Sequence, residues 1–99
     1  MSKHTEQNEK PWKRINLTRF QIKVFLFRLA GAEGCRYGYK DSRCGGSEYT
    51  YARKILGLMQ ISEAEQQKFL EKCQELGGFC DCEILMNAAP RLLGEDTPW

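Results

Sequence analysis

The segment Gly77-Gly78-Phe79-Cys80-Asp81-Cys82-Glu83-Ile84-Leu85 contains the features around which the rest of the chain is organised. Its paired glycines are a helix stop, because glycine readily adopts the left-handed conformation that ends a helix. Two cysteines separated by one residue follow, and a new apolar run begins directly after them. The segment therefore predicts a sharp turn that carries two thiols between two helices.

Two more cysteines lie far upstream, at either end of a loop rich in glycine and tyrosine. Structural zinc takes four ligands in a tetrahedron and prefers thiolates, and two segments that each donate two thiols can supply them. Glycines flank both pairs and leave the backbone room to wrap an ion. We therefore predict that one zinc ion is bound by Cys35, Cys44, Cys80 and Cys82.

Other interpretations of these thiols stay open. They could be small buried hydrophobes and loop thiols, or they could form a reversible disulfide, either between Cys80 and Cys82 or across the loop. The spacings match none of the common iron–sulfur runs, which argues against such a cluster. Cys73 lies on the apolar stripe of a predicted helix, so we predict that it belongs to the core.

Size and composition indicate one soluble domain. The chain has 99 residues, of which 41% are hydrophobic and 28% charged, and this is an ordinary composition for such a domain. A net charge of +2 is too small to indicate a nucleic-acid or membrane partner. Because residues 1–14 show no secretory signal and no apolar run could span a bilayer, we expect a cytoplasmic protein. Thiols stay reduced there, so five cysteines favour metal binding, redox sensing or burial over structural disulfides.

Apolar periodicity predicts a mainly α fold: a small four-helix domain with a long Cys/Gly/Tyr loop clamped by the cysteine site. The first helix is predicted to begin near Asn16 or Thr18 and to be ended by Gly31 and Gly34. Its apolar residues form two neighbouring stripes, and so wide an arc predicts a central helix. The stripes are Leu17, Phe20, Val24 and Phe27, and Ile22, Phe25, Leu26 and Leu29.

The loop over residues 31–46 alternates around Tyr37 and Tyr39, which allows a short hairpin. A second helix is predicted over 48–59, with Ser47 as its N-cap. Ser62 and Glu65 form the pattern of a capping box that opens a third helix.

The third helix is predicted to extend to about Leu76. Asp81 is the predicted cap of a fourth helix, which Pro90 ends or bends. The predicted organisation is a flexible tail over 1–14, one helical domain over 15–93 and a frayed segment over 94–99.

The chain also resembles a known family. Gly77-Gly78-Phe79-Cys80-Asp81-Cys82-Glu83-Ile84-Leu85-Met86-Asn87 is similar to the Gly-Gly-Tyr-Cys-Asp-Cys-Glu-Val-Leu segment of the domain of unknown function 2695 family, and the resemblance extends over about residues 22–92. It implies a compact cytosolic module of microbial origin with Cys80 and Cys82 as signature positions, and it implies no substrate. The resemblance leads us to expect a His-Thr-Leu-like segment where this chain has Ser47-Glu48-Tyr49-Thr50. If that histidine is a metal ligand in other members, this chain must use a different set of ligands.

No paired-carboxylate, phosphate-binding or Ser/His/Asp pattern is present, so the sequence predicts no enzyme. We expect a small regulatory or partner-binding protein that docks on a larger enzyme or complex. Its zinc–thiolate site would respond to oxygen or redox state, since thiolates are the species that oxidants attack. The predicted partner-binding residues are Trp12, Arg36, Tyr37, Tyr39, Lys40 and Arg43.

Two alternative functions follow from other features. Basic and aromatic side chains interleave between Arg36 and Arg43, and this pattern can grip single-stranded nucleic acid. A zinc-stabilised nucleic-acid-binding module is therefore one alternative. A thiol oxidoreductase that uses the Cys80-x-Cys82 pair is the other.

Overall fold

The computed structural model describes residues 15–38, 40 and 42–99. These residues are helical or irregular and include no β-strand, which confirms the predicted mainly α class. The short hairpin proposed for the 31–46 loop is therefore not formed by the loop residues that the structure describes. The predicted tail over 1–14 lies outside the described residues. Within the described ranges, no helix is both long and apolar enough to cross a membrane.

The described residues form four helical segments, in the predicted order. They are α1 (Arg19–Ala30), α2 (Thr50–Leu58), α3 (Glu63–Glu75) and a composite last helix over 81–93. The last helix consists of α4 (Asp81–Glu83), a π-helical turn (Ile84–Ala88) and α5 (Ala89–Leu93).

Helix α1 begins where the sequence predicts. The Thr18 hydroxyl accepts the Gln21 N–H at 3.1 Å, and the Gln21 side chain accepts the Thr18 N–H at 2.9 Å, so the two form a capping box. One apolar stripe is buried, but the other is buried only in part: Leu17 is covered, whereas Phe20 is 74% exposed and Phe27 48%. The apolar arc predicted to be buried on α1 was too wide, because α2, α5 and the π turn pack against one side of the helix.

The core forms where α1 meets α3 and the composite helix. The rings of Phe25 and Phe69 meet edge to face with centroids 5.2 Å apart, a geometry that adds about 0.5–1.5 kcal/mol to the burial of the two rings. Cys73 is fully buried in this core, as predicted. The largest buried apolar side chains are Ile22, Phe25, Leu26, Leu29, Ile55, Leu56, Phe69, Leu70, Ile84, Leu85 and Leu92.

The N-terminus of α2 differs from its prediction. Ser47 is not the N-cap; the cap is Tyr49, which is left-handed (φ 59°) and makes no side-chain capping bond. The acceptor comes instead from the last helix, because the Asp81 carboxylate accepts the N–H groups of Tyr51 at 3.0 Å and Ala52 at 3.3 Å. Asp81 was predicted to cap its own helix. It is the first residue of α4 and caps α2, since the free N–H groups at a helix start need an acceptor whatever its position in the chain.

Asp81 is completely buried, and it also receives the N–H of Gly45. Burial raises the pKa of this carboxyl, although the three N–H groups favour its charged form. A β-carbon at Gly45 would overlap the Asp81 Oδ2 atom. The loop and the last helix can therefore approach this closely only with glycine at position 45.

Helix α3 begins after Ser62, whose hydroxyl accepts the Glu65 N–H at 3.3 Å. The Glu65 carboxylate does not return to Ser62 as a capping box requires. It accepts the Asn16 N–H at 3.2 Å and the Asn16 side-chain amide at 2.9 Å. Glu65 therefore anchors the chain that enters α1 instead of completing its own cap.

The π turn in the last helix leaves one carbonyl without a regular partner. The Ala89 N–H donates to the Ile84 carbonyl, so the next bond of the same pattern would join the Leu85 carbonyl to residue 90. Residue 90 is proline and has no N–H. The indole Nε1 of Trp99 donates to the Leu85 carbonyl at 3.1 Å.

Residues 94–99, which the sequence predicts to be frayed, make several contacts with the helices. The Arg19 guanidinium pairs with Glu95 at 2.7 Å, and the Trp99 ring meets Phe27 edge to face at 5.3 Å. This segment therefore covers part of the surface that α1 leaves open.

Replacing Asp81 tests the cap on α2. Asp81→Ala leaves three N–H groups without their acceptor, so we expect the free energy of unfolding to fall by about 2–4 kcal/mol in urea titrations. Asp81→Asn keeps one acceptor oxygen and should cause a smaller loss. Asp96→Ala, at an exposed acidic residue, is the control and should change stability by less than about 0.5 kcal/mol. A similar small effect of Asp81→Ala would show that the cap contributes nothing.

The Trp99 hydrogen bond can be isolated with a double-mutant cycle. Trp99→Phe keeps an aromatic ring but removes the N–H, so we expect a loss of about 1 kcal/mol in urea unfolding. In a Pro90→Ala background, residue 90 has an N–H for the Leu85 carbonyl, and Trp99→Phe should then destabilise less. Equal losses in the two backgrounds would contradict the explanation from the missing proline N–H.

Candidate functional site

Cys35 is held at the end of α1 by a tight turn. Its N–H donates to the Leu29 carbonyl at 2.7 Å, and the Gly34 N–H donates to the Gly31 carbonyl at 3.1 Å. A β-carbon at Gly34 would overlap the Leu29 main chain. The turn therefore requires glycine at position 34 and places Cys35 in a fully buried position.

Cys44 reaches the same region from the far end of the loop. The Arg43 N–H donates to the Cys35 carbonyl at 2.7 Å, which brings the two ends of the loop together. The sulfur of Cys44 accepts the N–H groups of Gly46 and Cys82, each at 3.4 Å. The exposed Cys44 therefore contacts the last helix directly.

The other two thiols lie at the start of the last helix. Cys80 is the N-cap residue of α4, in an extended conformation, and Cys82 lies within its first turn. The Cys82 thiol donates to the Arg43 carbonyl at 3.6 Å. Both are partly buried, and the buried Asp81 between them holds this turn against the start of α2.

The four thiols lie close enough to affect one another's ionisation. Cys80 and Cys82 both influence the ionisation of Cys44, and Cys35 influences that of Cys82. We call these four residues the thiol cluster, in which neighbours follow in the order Cys35, Cys82, Cys44 and Cys80. The two segments that the sequence analysis paired are thus neighbours in the fold.

Ionisation is uneven across the thiol cluster. Burial opposes ionisation of Cys44, but the N–H groups of Cys82 and Gly46 and the neighbouring thiols outweigh it and lower the Cys44 pKa. Burial and the neighbouring Cys44 raise the pKa of Cys82 to about 11 and also raise that of Cys80. Burial raises the pKa of Cys35 as well. Cys44 is therefore the member of the cluster that ionises most readily, because burial and the neighbouring thiols oppose ionisation of the other three.

As the side chains are placed, no group of three or more Cys, His, Asp or Glu residues within 15–38, 40 and 42–99 has an arrangement that could hold a metal ion. A four-thiolate zinc centre would need the sulfurs to turn toward one common point. The assignment of the four cysteines as zinc ligands therefore stays a prediction.

Of the six predicted partner-binding residues, Trp12 and Tyr39 lie outside the described residues. Lys40 is exposed, and Tyr37 packs partly against the core. Arg36 is partly buried and left-handed (φ 50°). Their proposed role in binding a partner stays a prediction.

Arg43 makes contacts within the fold. Its Nε donates to the Gly34 carbonyl at 2.8 Å and its Nη2 to the Ala32 carbonyl at 3.0 Å. Its guanidinium also lies 4.8 Å from the centre of the Tyr51 ring. A nucleic acid that used Arg43 would have to displace these contacts, which weighs against that alternative.

An open groove of about 540 Å³ lies between the end of α3 and the last helix. The sequence analysis did not identify it. Two of its lining residues are exposed apolar side chains, Phe79 at 58% and Met86 at 53%. Phe79 directly precedes Cys80, the N-cap residue of α4, so the groove and the thiol cluster share this turn.

Comparison with known proteins places the chain in a family. The model of the family described as "Protein of unknown function (DUF2695)" matches residues 38–87, a stretch that includes Cys44, Cys80 and Cys82 but not Cys35. Uncharacterized proteins of Mycobacterium bovis and of two Mycobacterium tuberculosis strains are 38% identical over 56 residues, which is 56% of this chain and 57% of each relative. The chain thus spans little more than half the length of these curated relatives, and no solved structure matches it. This chain belongs to the DUF2695 family.

Proposed function

We propose that this protein is a small, non-enzymatic regulatory protein in which the thiol cluster binds one zinc ion. Oxidation of the cluster would release the metal and change a surface that docks on a larger partner. The observation that carries the proposal is the proximity of Cys44 to Cys80 and Cys82, together with that of Cys82 to Cys35. Two distant segments of the chain thus supply four neighbouring cysteines as candidate ligands.

Zinc fits the chemistry of this donor set. A divalent cation compensates for the burial and the like charges that raise the pKa of three of the thiols, so binding would drive their ionisation and release protons. Thiolates select zinc and other thiophilic ions over hard cations. Four thiolates also fill a tetrahedral site, whereas catalytic zinc keeps a position open for water or substrate. We therefore propose a closed, non-catalytic site.

Oxidation supplies a means of regulation. In the proposed step, two zinc-bound thiolates form one S–S bond, the electron pair reduces hydrogen peroxide to two hydroxide ions, and Zn²⁺ leaves. Cys44 is the exposed member of the cluster, so peroxide can reach it first. A disulfide from Cys44 to the last helix would shift the loop against the turn that carries Phe79 and so alter the adjoining groove.

Metal content tests the ligand assignment. We expect protein purified without oxygen to contain about one zinc per chain by elemental analysis. Cys80→Ser should weaken zinc binding by at least about tenfold in competition with a colorimetric chelator, because it removes a ligand. Cys73→Ala is the matched control: this buried core cysteine is not in the cluster, so the variant should keep its zinc. Full zinc affinity in Cys80→Ser, or zinc-free wild-type protein after zinc loading, would contradict the site.

Peroxide treatment tests the regulation. We expect zinc to be released into a chromogenic chelator as peroxide is added, with loss of two titratable thiols per zinc, and dithiothreitol to restore binding. Cys44→Ser should release its remaining zinc more slowly, because the accessible sulfur is gone. Retention of zinc while the cluster thiols become oxidised, or release with every thiol still titratable, would contradict the proposed step.

A further inference from the structure

We propose that Arg43 is a positioning residue that holds Cys44 in the thiol cluster and thereby determines how tightly the cluster binds zinc. The inference rests on the proposed zinc site and goes beyond it, because it assigns control of affinity to a residue that contributes no ligand atom.

The side chain of Arg43 is fixed at one end of the loop. Its Nε and Nη2 donate to the carbonyls of Gly34 and Ala32 at 2.8 and 3.0 Å. Both carbonyls belong to the turn that leads into Cys35. The planar guanidinium offers donors in a rigid fork, and this geometry lets one side chain engage two carbonyls in a fixed orientation.

The main chain of Arg43 contacts two members of the cluster. Its N–H donates to the Cys35 carbonyl at 2.7 Å, and its carbonyl accepts the Cys82 thiol at 3.6 Å. Cys44 is the next residue. Arg43 is therefore hydrogen-bonded to Cys35 and Cys82 and covalently bonded to Cys44, which together are three of the four cysteines of the cluster.

A further contact ties Arg43 to the start of α2. Its guanidinium lies 4.8 Å from the centre of the Tyr51 ring, within the range of a cation–π interaction. The Tyr51 N–H donates to Asp81 at 3.0 Å, and Asp81 separates Cys80 from Cys82. Through Tyr51 and Asp81, the Arg43 side chain is thus linked to the turn that carries Cys80 and Cys82.

These contacts matter for affinity because the segment around Cys44 is intrinsically adaptable. Gly45 and Gly46 follow Cys44, with Gly46 left-handed (φ 80°), and glycine has the most conformational freedom to lose on ordering. A loop that is already ordered loses less entropy when zinc binds than one that must be ordered by the metal. Without the guanidinium contacts, Cys44 would be held less closely to Cys80 and Cys82 and would bind zinc with the other three thiols less often.

The test compares Arg43→Met and Arg43→Lys with Arg53→Met. Arg53 is a matched control, because it is an exposed arginine on α2 whose guanidinium donates to the Glu48 carbonyl and to Gln67, away from the cluster. We expect both Arg43 variants to bind zinc about tenfold more weakly than wild type in chelator competition. Arg53→Met should stay within about twofold of wild type. Lysine should not restore affinity, because a single ammonium does not reproduce the guanidinium fork.

Two further readouts separate positioning from a general loss of stability. The increase in melting temperature on adding zinc sulfate to chelator-treated protein should shrink in the Arg43 variants, whereas a merely structural role would lower the metal-free and metal-loaded melting temperatures alike. Cobalt-loaded Arg43 variants should also show weaker thiolate-to-cobalt absorption than wild type at equal cobalt. Wild-type affinity in Arg43→Met, or restored affinity in Arg43→Lys, would overturn the inference while leaving the zinc site standing. Wild-type protein that binds no zinc would overturn the proposed function itself.

Discussion

The buried carboxylate of Asp81 is the constraint on which the rest of the arrangement depends. It accepts N–H groups from the first turn of α2 and from Gly45, so it joins the start of one helix to the start of another that lies 30 residues away. A buried charge is stable only where polar groups replace its water. The free N–H groups at the start of α2 are such groups, and their partial positive charge favours an anion.

The position of Asp81 in the chain explains why the thiols meet. Cys80 and Cys82 are its neighbours on either side, and Cys44 precedes the Gly45 that it contacts. Once the Asp81 carboxylate occupies the start of α2, the cysteines on either side of it lie close to Cys44. The Cys35 carbonyl accepts the Arg43 N–H, and this bond holds the two ends of the loop together. The thiol cluster thus follows from main-chain hydrogen bonds that need no metal. A bound ion would add the charge compensation that the sulfurs lack.

Much of this could be predicted from local patterns in the sequence. Thr18 and Ser62 cap the helices that follow them, and pairing Cys35 and Cys44 with Cys80 and Cys82 identified segments that are neighbours in the fold. The features that could not be predicted depend on residues distant in the chain. Asp81 caps α2 rather than its own helix, Glu65 binds Asn16, and the Leu85 carbonyl left by Pro90 is satisfied by Trp99. Local helix propensity carries no information about such long-range acceptors. The one sequence signal for the cap on α2 was the acidic residue Asp81 between the two cysteines.

X-ray absorption at the zinc edge, on protein purified without oxygen, tests the central claim most directly. The account predicts a first shell of four sulfurs at about 2.3 Å, with no nitrogen or oxygen ligand. A shell dominated by nitrogen or oxygen, or zinc bound by fewer than three sulfurs, would contradict a centre built from Cys35, Cys44, Cys80 and Cys82.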